Sequence, residues 1–165
     1  MQSLNIHHDL VPYSSYKKCL SIVKEKHVPV TLHAGESGPA SHVHDALKVG
    51  ADRIGHGGHA LEDPAVIQEL LDKKVVLEQC VTSNIQCHNQ PSYELHAIRP
   101  LFDAGVKVTV NTDNRSLSGT TLQKEIDKLK KYLHFTDEEI HQMMLYAVDG
   151  AFTTEEEKER LRKLV

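Results

Sequence analysis

The sequence predicts an α/β fold in which about four parallel βα units are followed by C-terminal helices. Short apolar runs alternate with stretches of helical periodicity, which is typical of parallel strands joined by right-handed crossovers. Two of the apolar runs stop at a histidine or a carboxylate. The 165 residues fall short of the roughly 200 that a complete eight-unit barrel needs. We therefore expect residues 1–165 to form a single partial domain, about half of a TIM-type (β/α)8 barrel.

Four strands are predicted in the first two thirds of the chain. A strand buries its apolar residues and exposes its last side chains at one end. The carboxyl ends of parallel strands meet at one rim, which is where parallel barrels carry out their chemistry. The predicted strands cover residues 28–32, 53–57, 75–78 and 106–110.

Helices are predicted between and after these strands. The periodicity indicates a first helix over 13–26 and a second over 39–49 that Gly50 closes. Asp63 and Pro64 begin the next helix, since Asp is a good N-cap and Pro suits the first turn. Further helices are predicted over 93–104 and 120–132, and two more begin at Thr136 and Thr154, where acidic residues fill the first turn.

The composition argues against nucleic acids and membranes as binding partners. The net charge of −4 argues against nucleic acid as a partner, and no apolar run approaches the roughly 20 residues that span a bilayer. The three cysteines form no C-x-x-C pair, which favours a reducing, cytoplasmic location. Cys80 and Cys87 are expected to be buried thiols rather than metal ligands. Ser83 is expected in a loop, because no nucleophile-elbow motif surrounds it.

The strand ends present a set of residues suited to metal-assisted hydrolysis. His33 and Glu36 follow the first predicted strand, His56 lies at the end of the second, and Asp113 and Asn114 follow the fourth. Imidazole and carboxylate are the ligands of catalytic zinc, and a nearby carboxyl group can transfer protons. Each residue alone has an ordinary structural explanation. Their convergence on one rim favours a shared catalytic site.

These residues lie in four motifs that together resemble the adenosine deaminase family. The motifs are T-L-H-A-G-E, R-I-G-H-G, C-V-T-S-N and V-T-V-N-T-D, in this order. The resemblance extends from about Val28 to the end of the chain and corresponds to the C-terminal half of a family member. It implies a zinc-dependent (β/α)8 barrel that hydrolyses adenosine and 2′-deoxyadenosine to inosine and 2′-deoxyinosine, in purine metabolism.

The resemblance also implies a role for each residue. His33 matches a zinc ligand, and Asp113 matches the last zinc ligand, which also contacts the attacking water. Glu36 matches the acid that protonates purine N1. His56 matches the histidine that orients the attacking water.

Two further residues are assigned to substrate binding by the same resemblance. Asn114 stands where many members have a second aspartate that contacts purine N7, and an amide can donate to N7 without first being protonated. Gly35, which precedes the proton-donating Glu36 in the same motif, is the second of these residues.

The family's strand-one H-x-H pair, which supplies two further zinc ligands, is not recognisable in the sequence. His7 and His8 are adjacent, so their rings would point to opposite faces of a strand. His42 and His44 have the right spacing but fall in a predicted helix, where such a spacing separates the side chains. The family's purine-contacting glycine segment is not recognisable near residues 5–12 either.

Three functional alternatives remain open. The chain is an adenosine deaminase or part of one, with low activity by itself because its zinc ligand set is incomplete. It is alternatively a non-catalytic remnant that associates with a partner or with itself through open barrel edges. A third interpretation is a related deaminase that acts on adenine or a nucleotide. The pattern of the cytidine-deaminase type, H-x-E with P-C-x-x-C, does not occur.

Overall fold

The structure, a computed structural model, describes residues 4–7 and 13–165 and shows a five-stranded parallel sheet. The strands are hydrogen-bonded in chain order. Parallel strands that follow one another through helices place all their carboxyl ends at one edge. The strands are β1 (Leu4–His7), β2 (Val30–Ala34), β3 (Arg53–His56), β4 (Val76–Gln79) and β5 (Val108–Val110).

Most of the connections are helical, which confirms the predicted alternation and the partial-barrel architecture. A 3₁₀ turn, Tyr13–Tyr16, precedes the first helix, and a second, Gly58–Glu62, follows β3. The helices are α1 (Lys17–Glu25), α2 (Ala40–Val49), α3 (Pro64–Lys73), α4 (Val81–Gln86), α5 (Ile98–Asp103), α6 (Arg115–Ser118), α7 (Leu122–Leu133), α8 (Asp137–Asp149) and α9 (Glu155–Arg162).

One apolar row crosses the sheet and holds it against the helices. Leu32 pairs with Ile54, Ile54 with Leu77, and Leu77 with Val108, and all four residues are fully buried. Because side chains alternate along a strand, the neighbouring positions face the other side of the sheet.

That opposite face is polar. Thr31 donates a hydrogen bond to the Glu78 carboxylate at 3.1 Å, and Arg53 lies 2.7 Å from the same carboxylate. One face therefore forms the core, while the other carries charged and hydroxyl side chains.

The predicted helix boundaries are confirmed where a capping residue defines them. Asp63 accepts a hydrogen bond from the Ala65 N–H and Pro64 occupies the first turn of α3. Gly50 adopts a left-handed conformation at the end of α2, and Thr136 forms a capping box with Glu139. Such caps satisfy backbone groups that a helix end would leave unpaired.

Two predictions about local structure are wrong, and one strand was not predicted. The predicted helix over 93–104 contracts to α5, because residues 87–97 form turns. Ser83 lies on α4 rather than in a loop. Strand β1 was not predicted from its polar, histidine-rich sequence. Among the described residues, no helix combines the length and apolar character that crossing a bilayer requires.

Candidate active site

Three side chains converge at the carboxyl ends of β2 and β3. His33, Glu36 and His56 each offer a ligand atom, and these atoms all lie within 4.8 Å of one another. The imidazole rings of His33 and His56 pack edge to face with centroids 5.0 Å apart. The structure thus brings together two histidines and the carboxylate that sequence analysis placed on one rim.

The backbone of β2 and a glycine of β3 position His33. The buried Tyr13 hydroxyl donates a hydrogen bond of 2.7 Å to the His33 carbonyl oxygen. The imidazole ring lies over Gly55, where an added Cβ would come within 2.6 Å of His33 Cδ2. Only a residue without a side chain leaves room for the ring in this position.

A tight turn after β2 directs Glu36 back towards the two rings. Gly35 has a φ of +61°, and an added Cβ there would lie 2.6 Å from Val43 Cγ2. Both the conformation and the space therefore require glycine. Glu36 Oε2 lies 3.4 Å from His56 Nε2 and 3.8 Å from His33 Nδ1. Its Oε1 accepts a 3.3 Å hydrogen bond from Asn89.

His56 is almost completely buried and has a left-handed backbone. Its relative exposure is 1% and its φ is +64°. The Gln79 side chain donates to its carbonyl oxygen, and its Nδ1 lies 2.8 Å from the side-chain amide of Asn84. The backbone carbonyl and the ring of His56 are therefore both held by buried polar side chains, one on β4 and one on α4.

Behind His56, the chain of polar contacts continues to a second buried histidine. The Asn84 amide also lies 3.1 Å from His96 Nε2, and the Ile98 N–H donates to His96 Nδ1 at 3.1 Å. Burial lowers the pKa of His96 to about 4, although the charge of Glu125 opposes this shift. No motif or periodicity in the sequence marks His96, so sequence analysis did not place it near the site.

Asp113 lies beyond β5, at the same end of the sheet. Its Oδ2 accepts a 2.7 Å hydrogen bond from Ser83 Oγ, and its φ is +55°. It is not a member of the group formed by His33, Glu36 and His56 among the described residues. Shared metal ligation by His33 and Asp113 stays a prediction.

Asn114 begins α6. Its Oδ1 accepts a hydrogen bond of 3.0 Å from the Leu117 N–H, and the side chain is exposed. This bond uses the oxygen of the amide and leaves the Nδ2 group to donate elsewhere.

A buried carboxylate on α7 holds the first turn of α4 by hydrogen bonds. Glu125 has no exposed surface. Its carboxylate accepts hydrogen bonds from the Thr82 N–H at 2.9 Å and from Lys128 Nζ at 3.1 Å. The hydroxyls of Thr82 and Thr120 also donate to it. Burial raises its pKa, but these hydrogen bonds outweigh burial and hold the pKa below its ordinary value. The sequence shows Glu125 only as an acid in the first turn of a helix, so its burial was missed.

The remaining cysteine and histidine predictions have mixed outcomes. Cys80 is buried as expected, and burial, assisted by the Asp113 carboxylate, raises the pKa of its thiol. Cys87 is exposed, so its predicted burial is wrong. His44 pairs with Glu69 on the outer face of α2, away from the strand ends. His8 and residues 9–12 lie outside the described residues, as does the side chain of His7.

Comparisons with known proteins agree on one family. The family model described as "Adenosine deaminase" matches residues 6–165. An adenosine deaminase from Enterococcus faecalis is 38% identical over 157 residues, which cover 95% of this chain and 46% of that protein.

Two solved structures share the fold. An adenine deaminase from Arthrobacter aurescens superposes with a TM-score of 0.87 at 28% identity, covering 91% of this chain and 46% of the other. An Arabidopsis N6-mAMP deaminase superposes with a TM-score of 0.83 at 25% identity, covering 92% of this chain and 45% of the other. The chain therefore spans about half the length of these relatives.

Proposed function

Because the chain belongs to the adenosine deaminase family, we propose that it carries part of a zinc-dependent site for the hydrolytic deamination of adenosine and 2′-deoxyadenosine. The observation that carries this proposal is the convergence of His33, Glu36 and His56 at the carboxyl ends of two parallel strands. Deamination of a purine needs a proton donor and an oriented water beside a Lewis acid, and this group has the residue types for each task.

The donor chemistry of the site fits a zinc ion. His33 and Asp113 would hold the metal, together with ligands from outside the described residues. Imidazole and carboxylate are ligands that zinc accepts. The Ser83 hydroxyl donates a hydrogen bond to the Asp113 carboxylate, which would orient this carboxylate towards the metal. When bound, zinc would lower the pKa of a water to about 7 and so supply a nucleophile at neutral pH.

Glu36 and His56 would manage the protons of the reaction. Glu36, bonded to Asn89 through Oε1, would donate a proton to purine N1 and so prepare C6 for attack. His56 would orient the attacking water. The water oxygen would form a bond to C6, and the bond between C6 and the amino nitrogen would break. Of the two protons that the water gives up, one would go to the amino nitrogen, which leaves as ammonia, and the other would return to Glu36.

Two residues of the rim would bind the purine. Asn114 has its Oδ1 engaged by Leu117, which turns its NH₂ group into the available donor for N7. Gly35 allows substrate to approach the turn that carries Glu36, because it has no side chain.

We infer that the isolated chain has low or no activity. Two protein ligands hold a catalytic zinc weakly, since such sites ordinarily use three. The sheet also ends in strands β1 and β5, whose outer edges would favour association with a complementary polypeptide or a second copy. A cytoplasmic location is part of this proposal, in keeping with cysteines that form no disulfide framework.

A second candidate is deamination of adenine or an adenine nucleotide. It is favoured by the similarity of the fold to an adenine deaminase and an N6-mAMP deaminase. Asn114 also departs from the aspartate of many family members, which leaves the preferred substrate open to test.

The experiment measures conversion of adenosine to inosine with zinc present. The chain is assayed alone and together with the part of the Enterococcus faecalis relative that it does not match. Adenine, AMP and N6-methyl-AMP are offered in parallel, and His33→Ala serves as the inactive control. We expect turnover of adenosine only in the complemented sample. Preference for another substrate would favour the second candidate. Robust turnover by the chain alone would contradict the inference that its zinc site is incomplete. No turnover in any arm would reject the proposal.

A further inference from the structure

The Asn84 side chain connects two buried imidazoles. As placed, its Oδ1 lies 2.8 Å from His56 Nδ1 and its Nδ2 lies 3.1 Å from His96 Nε2, and all three residues are at most 2% exposed. An amide has one accepting end and one donating end of nearly the same shape, so its partners decide its orientation. The proton positions of the two histidines are therefore linked through Asn84.

The Ile98 backbone determines which nitrogen of His96 carries the proton. A backbone N–H only donates, and this one points at His96 Nδ1 from 3.1 Å. Nδ1 must then be the bare, accepting nitrogen. His96 is neutral at pH 7, because burial lowers its pKa to about 4. Its one proton therefore lies on Nε2, which faces Asn84 as a donor.

This donor determines the orientation of Asn84. Its carbonyl oxygen has to face His96 Nε2–H, because the NH₂ group at that place would lie against an N–H group. The two ends of the amide are therefore exchanged relative to the placement given above. The NH₂ group then faces His56. His56 Nδ1 accepts from it and is therefore bare, so the ring carries its proton on Nε2, 3.4 Å from Glu36 Oε2.

We propose that His96 and Asn84 are positioning residues that fix the tautomer of His56 and make its Nε2 a hydrogen-bond donor towards the reaction centre. The relay runs from the Ile98 N–H through His96 and Asn84 to His56. As far as it concerns catalysis, this inference rests on the proposed function, and it assigns His56 to orient the water by donating a hydrogen bond. The proton positions themselves can be measured without metal or substrate.

The test is ¹⁵N NMR of the whole chain labelled on its 12 histidines, without metal, at about pH 8, where an ordinary histidine is neutral. The ¹⁵N shift separates a protonated ring nitrogen from a bare one. The variants His56→Gln and His96→Gln assign the two sets of signals by their loss. We expect both rings to show a bare Nδ1 and a protonated Nε2. A protonated Nδ1 on His56 would overturn the proposal.

A variant then tests whether Asn84 controls the tautomer. Asn84→Asp keeps the shape and offers only acceptors, so His56 Nδ1 should become protonated while His96 keeps its proton on Nε2. The control is Asn111→Asp, the same change at an amide that donates to Thr109 Oγ1, and it should leave both rings unchanged.

An unchanged His56 spectrum in folded Asn84→Asp would reject control by Asn84. If this variant fails to fold by circular dichroism, the wild-type spectrum still decides the tautomer. Absence of deaminase activity in the complementation assay would refute the proposed function and leave this result intact, so the two failures are distinguishable.

Discussion

Ser83 Oγ donates a 2.7 Å hydrogen bond to Asp113 Oδ2 and so connects the first turn of α4 with the segment after β5. Ser83 is held in turn by its neighbour Thr82, whose N–H and hydroxyl donate to the buried Glu125. The carboxylate of Asp113 is therefore oriented by groups that reach down to α7. This arrangement resembles the supporting hydrogen bonds that orient metal ligands in proteins.

The first prediction is that Ser83→Ala weakens zinc binding by about 10- to 100-fold in the complemented protein, the usual cost of losing a supporting hydrogen bond. Competition with a chelator of known affinity measures the change. The matched control is Ser21→Ala, an exposed serine whose hydroxyl donates to the Lys18 carbonyl. Equal zinc affinity in Ser83→Ala and wild type would refute a ligand role for Asp113.

The second prediction concerns Gly55. Gly55→Ala places a Cβ within 2.6 Å of His33 Cδ2, so the imidazole has to move. We expect zinc affinity to fall by at least about tenfold, with the fold retained by circular dichroism. His33→Ala provides the reference for complete loss of this ligand. Wild-type affinity in Gly55→Ala would show that the position of the His33 ring does not matter for the metal.

The third prediction separates proton donation from metal binding. Glu36→Gln keeps the shape of the side chain but removes its acid, so turnover of the complemented protein should fall about 100-fold or more while zinc content stays unchanged. Glu62→Gln, at an exposed carboxylate that pairs with His59, is the control and should remain active. Full activity in Glu36→Gln would exclude the assigned role.

The fourth prediction is a dependence of stability on pH that originates at Glu125. The pKa of this carboxyl is lowered in the folded protein from an ordinary value of 4.5. A lowered pKa stabilises the folded state above the ordinary value, and this contribution is lost as pH falls through the folded pKa. Glu125→Gln should therefore cost about 1–3 kcal/mol near neutral pH and progressively less below about pH 4.5.

Urea denaturation of both proteins between neutral and acidic pH measures this difference. Glu138→Gln, at an exposed position in the first turn of α8, controls for the loss of one negative charge. A stability difference that stayed constant from neutral to strongly acidic pH would show that ionisation of Glu125 does not stabilise the fold.

Local chemistry explains which parts of the fold the sequence predicted. Asp63, Gly50 and Thr136 act on backbone groups within a few residues of themselves, so their effects are visible in a short stretch of sequence. Three of the four predicted strands, 28–32, 75–78 and 106–110, were recognised because each is an apolar run with a clear end. Strand β1 has no such run, and its pairing with β2 depends on a partner more than twenty residues away.

The supporting residues of the site could not be predicted for the same physical reason. His96 bonds to the amide of Asn84, 12 positions earlier, and Glu125 bonds to Thr82, 43 positions earlier. A histidine and a glutamate in polar surroundings ordinarily lie at the surface. Only the tertiary fold shows that these two are buried and fully engaged.

His56 and Asp113 also share a left-handed backbone, with φ values of +64° and +55°. The other non-glycine residues described with positive φ, His27, Lys74, His88 and His134, each lie at or just past a helix end, where that conformation is common. A side chain in this region costs about 1 kcal/mol relative to glycine. Selecting variants of this protein for heat tolerance alone would consequently favour glycine at the exposed position 113, at the expense of its carboxylate, whereas the buried and hydrogen-bonded ring of His56 would be retained.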